Sequence, residues 1–323
     1  MKKALLVLLL LALAVMSGCA GAPQQEPEEE KILIGFSQVE KENPWSTAQI
    51  NSFRVACNTE TSSLLYHTPQ EYTTQWQVED CKSLLEAGVD YLVIAPNEPA
   101  ALKDVLAQAR QMGVEVILMQ SDPEGLERED YTSLVYTDYQ REGELCAQML
   151  QEAFDGEPCR IVEVSGTPSS PVAKARAAGF RRGLQQQDNM KIIYTAESSF
   201  DRVTAQKAME DAIISLTKSG ITFNAVFAHS DEDGLGALQA LKAAGLKPGQ
   251  DVQIVSINGI QDVCKAIIAG EYLGSVESNP KWGQVVMTLV RQIERGAKPF
   301  PSVMSPYRII NAQNAGEIFN TAY

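Results

Sequence analysis

The chain has 323 residues, 27 Lys and Arg against 41 Asp and Glu, and a formal net charge of −14. That length accommodates two domains of ordinary size with substantial cores. The acidic balance, with no basic stripe to neutralise phosphates, excludes nucleic acid as a partner.

The chain opens on Lys2-Lys3, an unbroken apolar run from Ala4 to Met16, and Ser17-Gly18-Cys19. A positive start, a short apolar stretch and small residues before a cleavage point mark a secretory signal. The run is about thirteen residues against the roughly twenty that a spanning helix needs, so a transmembrane anchor is the weaker alternative. With Cys19 at the cleavage point the segment resembles the lipobox of bacterial lipoproteins, although Met16 stands where leucine is commoner. That resemblance implies a signal peptide over residues 1–18 and a diacylated Cys19 as the first mature residue. It also implies an extracytoplasmic body held to the bacterial cell membrane by lipid alone. Residues 20–30 are rich in glutamate and carry no large apolar side chain, so 19–31 reads as the lipidated cysteine and a flexible acidic spacer.

Beyond Lys31, short aliphatic runs alternate with longer amphipathic stretches. The predicted strands are Lys31–Phe36, Ser63–Tyr66, Tyr91–Ala95, Val114–Met119 and Leu134–Tyr136, then Arg160–Val164, Lys191–Tyr194, Ala225–Ala228, Val252–Ile257 and Gly274–Val276. Helical patterns between them include Thr74–Glu86, Pro99–Met112, Glu142–Phe154 and Val203–Leu216. Regular alternation predicts parallel sheets with helices on both faces, and the near-continuous apolar character of the strands fits burial on both sides. Two such series, one ending near Tyr136 and the other near Ile257, predict two doubly wound α/β lobes. Ligands bind beyond the carboxyl ends of such strands, so two facing sheets would enclose a small molecule in one cleft.

Apart from Cys19, the cysteines are Cys57, Cys81, Cys146, Cys159 and Cys264, an odd set without a C-x-x-C unit, and His67 and His229 lie far apart in sequence. Neither a zinc site nor a compact disulfide framework follows, and no metal or cofactor is expected. Cys57 and Cys81 fall on the first two helices, which in a doubly wound sheet cover opposite faces, so they are not expected to bond. Whether Cys146 and Cys159 meet stays open. A hydrolase or kinase would need a nucleophile beside a base, or a phosphate loop, and neither is present, so the chain does not read as an enzyme. A helix-turn-helix before the first strand is also missing, which excludes a transcription regulator.

Several segments together resemble the periplasmic sugar-binding proteins of ABC importers, the group of ribose- and galactofuranose-binding proteins. They are Ile34–Val39, Glu86–Pro96, Ser165-Gly166-Thr167 with Arg176–Phe180, Ala225–Asp231 with Leu235-Gly236-Ala237, and Ile254–Gly259. Each is weak alone, and their order and spacing over roughly residues 32 to 318 make the match specific. The resemblance implies the type I periplasmic binding protein fold: an N-lobe of 32–137 plus 280–307 and a C-lobe of 138–279 plus 308–323. A hinge of three crossings would join the lobes, with the ligand cleft between them.

It also implies site residues, position by position. Asn43-Pro44-Trp45 follows the first strand, with Trp45 stacking on a sugar face and Asn43 meeting hydroxyls; helix packing is the alternative for Trp45. Gln120-Ser121 stand where the family has Asp-Arg, and Asp122 follows one residue late, so either Gln120 or a shifted Asp122 faces the cleft. Arg176 matches the ligand-binding arginine, and the aspartate of the galactofuranose-type pattern before it is Ala175. Ser230 replaces an Asn, Asp231 is retained, Asn258 replaces an Asp, and Asn279 stands where Gln or Asn is expected.

With Gln120, Ala175 and Asn258 uncharged, Arg176 would carry unbalanced positive charge, which points to an acidic sugar or similar acid. Pairing of Arg176 with Asp231 or Asp122 would instead restore a neutral-ligand site. The implied function is capture of a sugar, polyol or acidic sugar by a monomer and delivery to ABC permease subunits. The alternative is a sensory lipoprotein reporting to a membrane receptor. Glu40, Glu42 and Glu232 on predicted loops are candidates for meeting a permease, with ordinary solvated charge as the alternative.

Overall fold

The computed structural model describes residues 31–39, 42–120, 123–168 and 170–323. The signal segment, Cys19 and its spacer lie outside the described residues, as do Glu40, Ser121, Asp122 and Ser169, and the side chain of Gln120 does too.

Strand β1 (Ile32–Gln38) is buried from Ile34 onward. It leads to α1 (Pro44–Cys57), whose start is fixed locally: Asn43 Oδ1 accepts from the Ser46 N–H at 2.9 Å, the Ser46 hydroxyl answers the Asn43 N–H, and Pro44 occupies the first turn. Then follow β2 (Ser62–Tyr66), α2 (Thr74–Glu86), β3 (Tyr91–Ala95), a 3₁₀ turn, α3 (Lys103–Met112), β4 (Glu115–Gln120) and β5 (Ser133–Tyr136). The next series is α4 (Tyr139–Phe154), β6 (Cys159–Ser165), α5 (Pro171–Leu184), β7 (Met190–Glu197) and α6 (Arg202–Lys218). It continues through β8 (Ala225–Ala228), α7 (Asp231–Ala243), β9 (Gln253–Asn258), α8 (Gln261–Ile268) and β10 (Gly274–Glu277). The chain ends through α9 (Gly283–Glu294), β11 (Ser302–Met304), β12 (Ile309–Asn311) and α10 (Ala315–Ile318).

Two six-stranded sheets result, with strand orders β11-β5-β4-β3-β1-β2 and β12-β10-β9-β8-β6-β7. All neighbours are parallel except β12, which runs antiparallel to β10. The fold class is therefore the doubly wound, two-sheet α/β arrangement that the strand pattern predicts. The chain passes between the sheets before α4, between β10 and α9, and between β11 and β12.

Strand alternation divides each sheet's side chains between two cores. In the first sheet Ile34 and Phe36 join Phe53 of α1 and Trp282 and Val286 near α9, while Leu92 and Ile94 join Leu84 of α2 and Val105 of α3. In the second, Val162 and Val164 pack under α6, α7 and α8, and Ile161 packs with Phe180 and Phe227, whose rings stack 3.9 Å apart. Cys57 and Cys81 do lie in the cores on opposite faces of the first sheet. Cys146 and Cys159 share one core without bonding, and all five described cysteines are free and buried. Burial pushes the Cys57, Cys81 and Cys159 thiols up to about 12, so they behave as small apolar residues.

Several boundaries shift from the sequence reading, β7 by three residues at its end, and two helix starts and one short strand have a plain local cause. Pro99–Leu102 is a separate 3₁₀ turn with no side-chain cap, and α3 begins only at Lys103. Asp138 accepts from the Arg141 N–H at 2.9 Å and starts α4 at Tyr139, nearly a turn before Glu142. Strand β11, three residues among prolines, is too short to carry a periodic signal.

Helices α4 and α5 approach closely enough to need glycine. A Cβ on Gly179 would lie 1.8 Å from the Gln140 carbonyl oxygen, and one on Gly143 would lie 2.1 Å from that of Arg176. Gly179→Ala is therefore expected to lower unfolding free energy by about 3 kcal/mol or more, because backbone and not a flexible side chain must move. Gly316→Ala in α10, with open space around it, should change stability by less than about 1 kcal/mol. Urea unfolding of both variants decides this; equal midpoints would refute the close approach.

Candidate ligand-binding cleft

A cleft of about 680 Å³ opens between the carboxyl ends of the two sheets. One wall comes from the ends of β1 and β3 (Gln38, Val39, Ala95, Asn97), the other from the loops after β6, β8 and β9 (Thr167, Ser230, Asn258). In each sheet the chain reverses winding direction at this place, because β2 lies on one side of β1 and β3 on the other, and β7 and β8 flank β6 likewise. Two helices that leave such a switch point diverge to opposite faces, leaving a crevice that side chains can line.

Trp45, in the first turn of α1, lines the cleft. Its Nε1 donates to the Ser278 carbonyl at 2.9 Å, and its ring stands edge-on to Trp282 at 6.0 Å. It thus serves both as cleft wall and as packing against the segment that crosses between the sheets. Asn43 also lines the cleft, with Oδ1 engaged in capping α1. From the second sheet's side comes Phe200, held at φ 58° with its ring over Gly166, where a Cβ would fall 2.1 Å from a ring carbon. A non-glycine residue in the left-handed region costs energy, and here the strain presents an aromatic ring to the cleft.

Arg176 projects from the second turn of α5 and is only 4% exposed. Its Nε donates to Glu142 Oε2 at 2.9 Å, Nη1 to the His229 carbonyl at 2.8 Å and Nη2 to Asn258 Oδ1 at 3.4 Å, and its guanidinium lies 5.4 Å from the Tyr139 ring centre. Burial works against the cation, and the Glu142 carboxylate together with Tyr139 and Tyr323 more than reverses it, so the guanidinium titrates above its ordinary value. Burial raises the Glu142 carboxyl, and the Arg176 charge only partly offsets that.

This pair corrects the charge expectation. Arg176 does not stand unbalanced: Glu142, 0% exposed, compensates it from α4, while Asp231 is engaged elsewhere and Asp122 lies outside the described residues. The premise for an acidic ligand therefore falls. The close crossing of α4 and α5 at Gly143 and Gly179 brings the two charges together across 34 positions of sequence.

Asp231 is 0% exposed and is not on the cleft wall. Its carboxylate accepts from the Ser256 hydroxyl, from the Ser275 hydroxyl at 2.7 Å, and from the N–H groups of Gly259 and Ile260 at 2.6 and 2.8 Å. It anchors from behind the turn after β9, where Asn258 has φ 139° and Gly259 φ 82°. Ser230 does line the cleft; it caps α7 through the Asp233 N–H at 3.1 Å and donates to Asp233 Oδ2 at 2.8 Å. Asn279 accepts from the Lys281 N–H at 2.9 Å in the segment crossing to α9, and Ser278, not Asn279, lines the cleft. Gln120 closes β4, and Ser121 lies beyond the described residues.

The sequence reading did not single out Glu142, Tyr139 or Phe200 for the site. Glu142 had a readable signal: it is a charge among Tyr139, Gly143 and Cys146 on the buried face of an amphipathic helix. Phe200 had none. His229, 1% exposed, sits behind the cleft against Glu163 at 3.1 Å rather than beside a nucleophile. Glu232 lines the cleft but is held by Arg202, with Nε 2.8 Å away. The result is a polar, partly aromatic crevice that can hold a hydroxylated ring by stacking and hydrogen bonds.

A family model described as the periplasmic binding protein domain matches residues 34–298. The chain is 32% identical over 280 residues to the galactofuranose-binding protein YtfQ of Escherichia coli (strain K12), covering 87% of this chain and 85% of that one. The periplasmic binding protein component of the arabinose ABC transporter from Shewanella sp. ANA-3, solved with α- and β-L-arabinofuranose, matches with a TM-score of 0.82 at 28% identity over 90% of this chain and 95% of that chain. A Mycobacterium smegmatis protein in complex with β-D-fucofuranose matches with a TM-score of 0.80 at 27% identity over 89% and 93%.

Proposed function

The chain belongs to the periplasmic binding protein domain family as an extracytoplasmic sugar-binding protein of the ABC-importer type, and from that membership we propose that it is a lipoprotein that captures a furanose sugar and delivers it to permease subunits. The observation that carries this reading is the placement of Trp45 and Asn43 on one wall of the cleft, with Arg176, Ser230 and Asn258 on the other. A ring lying between them touches both lobes. Such a ligand favours the closed arrangement over the open one, and that difference is what a permease can sense.

The ring size is supported by three similar proteins, which are named for, or solved with, galactofuranose, arabinofuranose and fucofuranose. The cleft volume of about 680 Å³ suits a monosaccharide with some water. The anchor is supported by the order of residues 2–19, ending on Cys19.

Thermal unfolding of the full-length protein with L-arabinose or D-galactose tests the ligand. A sugar present at about a hundred times its Kd stabilises by roughly 2.7 kcal/mol and raises Tm. Methyl α-L-arabinopyranoside, locked in the six-membered form, should leave Tm unchanged; an equal rise with it sinks the furanose assignment. For the anchor, Cys19→Ser should release the protein from membranes, and retention there would refute lipidation.

A further inference from the structure

We infer that Glu142 sets the charge class of the ligand: by neutralising Arg176 from inside the lobe, it makes that cleft-wall guanidinium a donor to uncharged hydroxyls and turns acidic sugars away. The inference rests on the reading that this cleft binds a sugar, and it assigns specificity to a residue that is not itself on the cleft wall.

Three observations carry it. Among the described residues that line the cleft, Arg176 is the one Lys or Arg, so of these it is the group that would favour an anion. Glu142 takes the Nε side of its guanidinium and His229 O takes one Nη1 hydrogen, which leaves the Nη ends to face the cleft beside Asn258. The other described charges that line the cleft do not add positive potential: Glu98 and Glu124 line the opposite wall, exposed, and Glu232 is already paired with Arg202.

Vicinal hydroxyls can accept from the Nη ends without adding charge. A carboxylate would place a second anion on a guanidinium already neutralised, in a buried site where like charges repel far more strongly than in water. Glu142 therefore acts through Arg176 as a positioning residue, holding both the orientation of the fork and the net charge of the wall. An adjacent carboxylate of this kind excludes wrong ligands by repulsion rather than by a better fit to the right one.

The test is isothermal titration of the full-length protein with neutral sugars, L-arabinose and D-galactose, and with the matching uronic acids, L-arabinuronate and D-galacturonate, which keep the ring. Wild type should bind a neutral sugar and discriminate against its acid. Glu142→Gln keeps the shape and removes the charge, and should move the acid-to-neutral affinity ratio toward the acid by about tenfold or more. Glu142→Gln combined with Arg176→Gln removes both charges, should fold even if the single change does not, and should restore the wild-type ratio to within about threefold. A loss of stability alone would not move this ratio. Wild type binding a neutral sugar while Glu142→Gln leaves the ratio unchanged overturns the inference and spares the sugar reading, as does a double variant that prefers the acid. Wild type silent toward all four compounds overturns the sugar reading itself, and the inference with it.

Discussion

Arg176→Ala is expected to weaken sugar binding by about tenfold to a hundredfold and to lower the unfolding free energy by about 3–5 kcal/mol, an unusually large double effect for one side chain at a cleft. The stability loss comes from behind the cleft. Removing the guanidinium leaves the Glu142 carboxylate at 0% exposure with no countercharge and strips the His229 carbonyl of its donor. The affinity loss comes from the front, where the Nη ends and the side chain of Asn258 lose their fixed relation. Urea unfolding with an unchanged m-value would separate lost stability from an altered denatured state. Adding Glu142→Gln to Arg176→Ala should recover most of the stability and none of the lost affinity for a neutral sugar. A stability loss under about 1 kcal/mol for the single variant would mean that Glu142 finds solvent or another partner.

The second large effect is on pH dependence. Asp233, 0% exposed between Ser198 and Ser230, is pushed up to about 7 by burial, against the pull of those hydroxyls and of Arg176. A carboxyl whose folded value is raised contributes stability that is complete below its ordinary value near 4 and is lost as pH rises through about 7. Between pH 4 and pH 8 wild type should therefore lose about 4 kcal/mol relative to Asp233→Asn, whose amide cannot ionise. Comparing the two proteins cancels other groups, including His229, which burial holds below its ordinary value and which destabilises the fold as pH falls. A difference that stays flat across this range would sink the assignment.

Glu163 has the opposite sign. Burial pushes it up, but hydrogen bonds from His229 and a fork from Arg181 pull it down to about 2. Its contribution is present above the ordinary value near 4.5 and disappears as pH falls from there toward 2. From these two groups, stability should peak near pH 4, where the gain from Glu163 ends and the loss from Asp233 begins.

Asp233 also ties this ionisation to the cleft. It holds Ser230 on the wall and Ser198 two positions before Phe200, while Ser198 also donates to the Ser165 carbonyl at the end of β6. Deprotonation near neutral pH places a buried charge directly behind two parts of the site.

The alternation of strands and helices could be read from the chain because each run satisfies its backbone locally and shows its burial in its own composition: Ile34 to Phe36, Tyr91 to Ala95 and Ala225 to Ala228 are apolar on both faces, as a strand covered on both sides must be. Helix starts at Asn43, Thr73, Asp201 and Ser230 follow from capping over a few residues. Two sheets, their doubly wound order and a cleft at their carboxyl ends follow from that pattern. The partner of Arg176 did not, since two glycines had to bring separate helices together before Glu142 could reach it. Nor did the inward turn of Asp231: Ser230 and Asp231 are sequence neighbours, yet one faces the cleft and the other holds four donors behind it, because the helix start between them points successive side chains in different directions. Local pattern determines which elements form, through interactions a few residues apart. The tertiary structure alone decides which charges meet in the dry interior, where pairing over 34 or more positions outweighs any local preference.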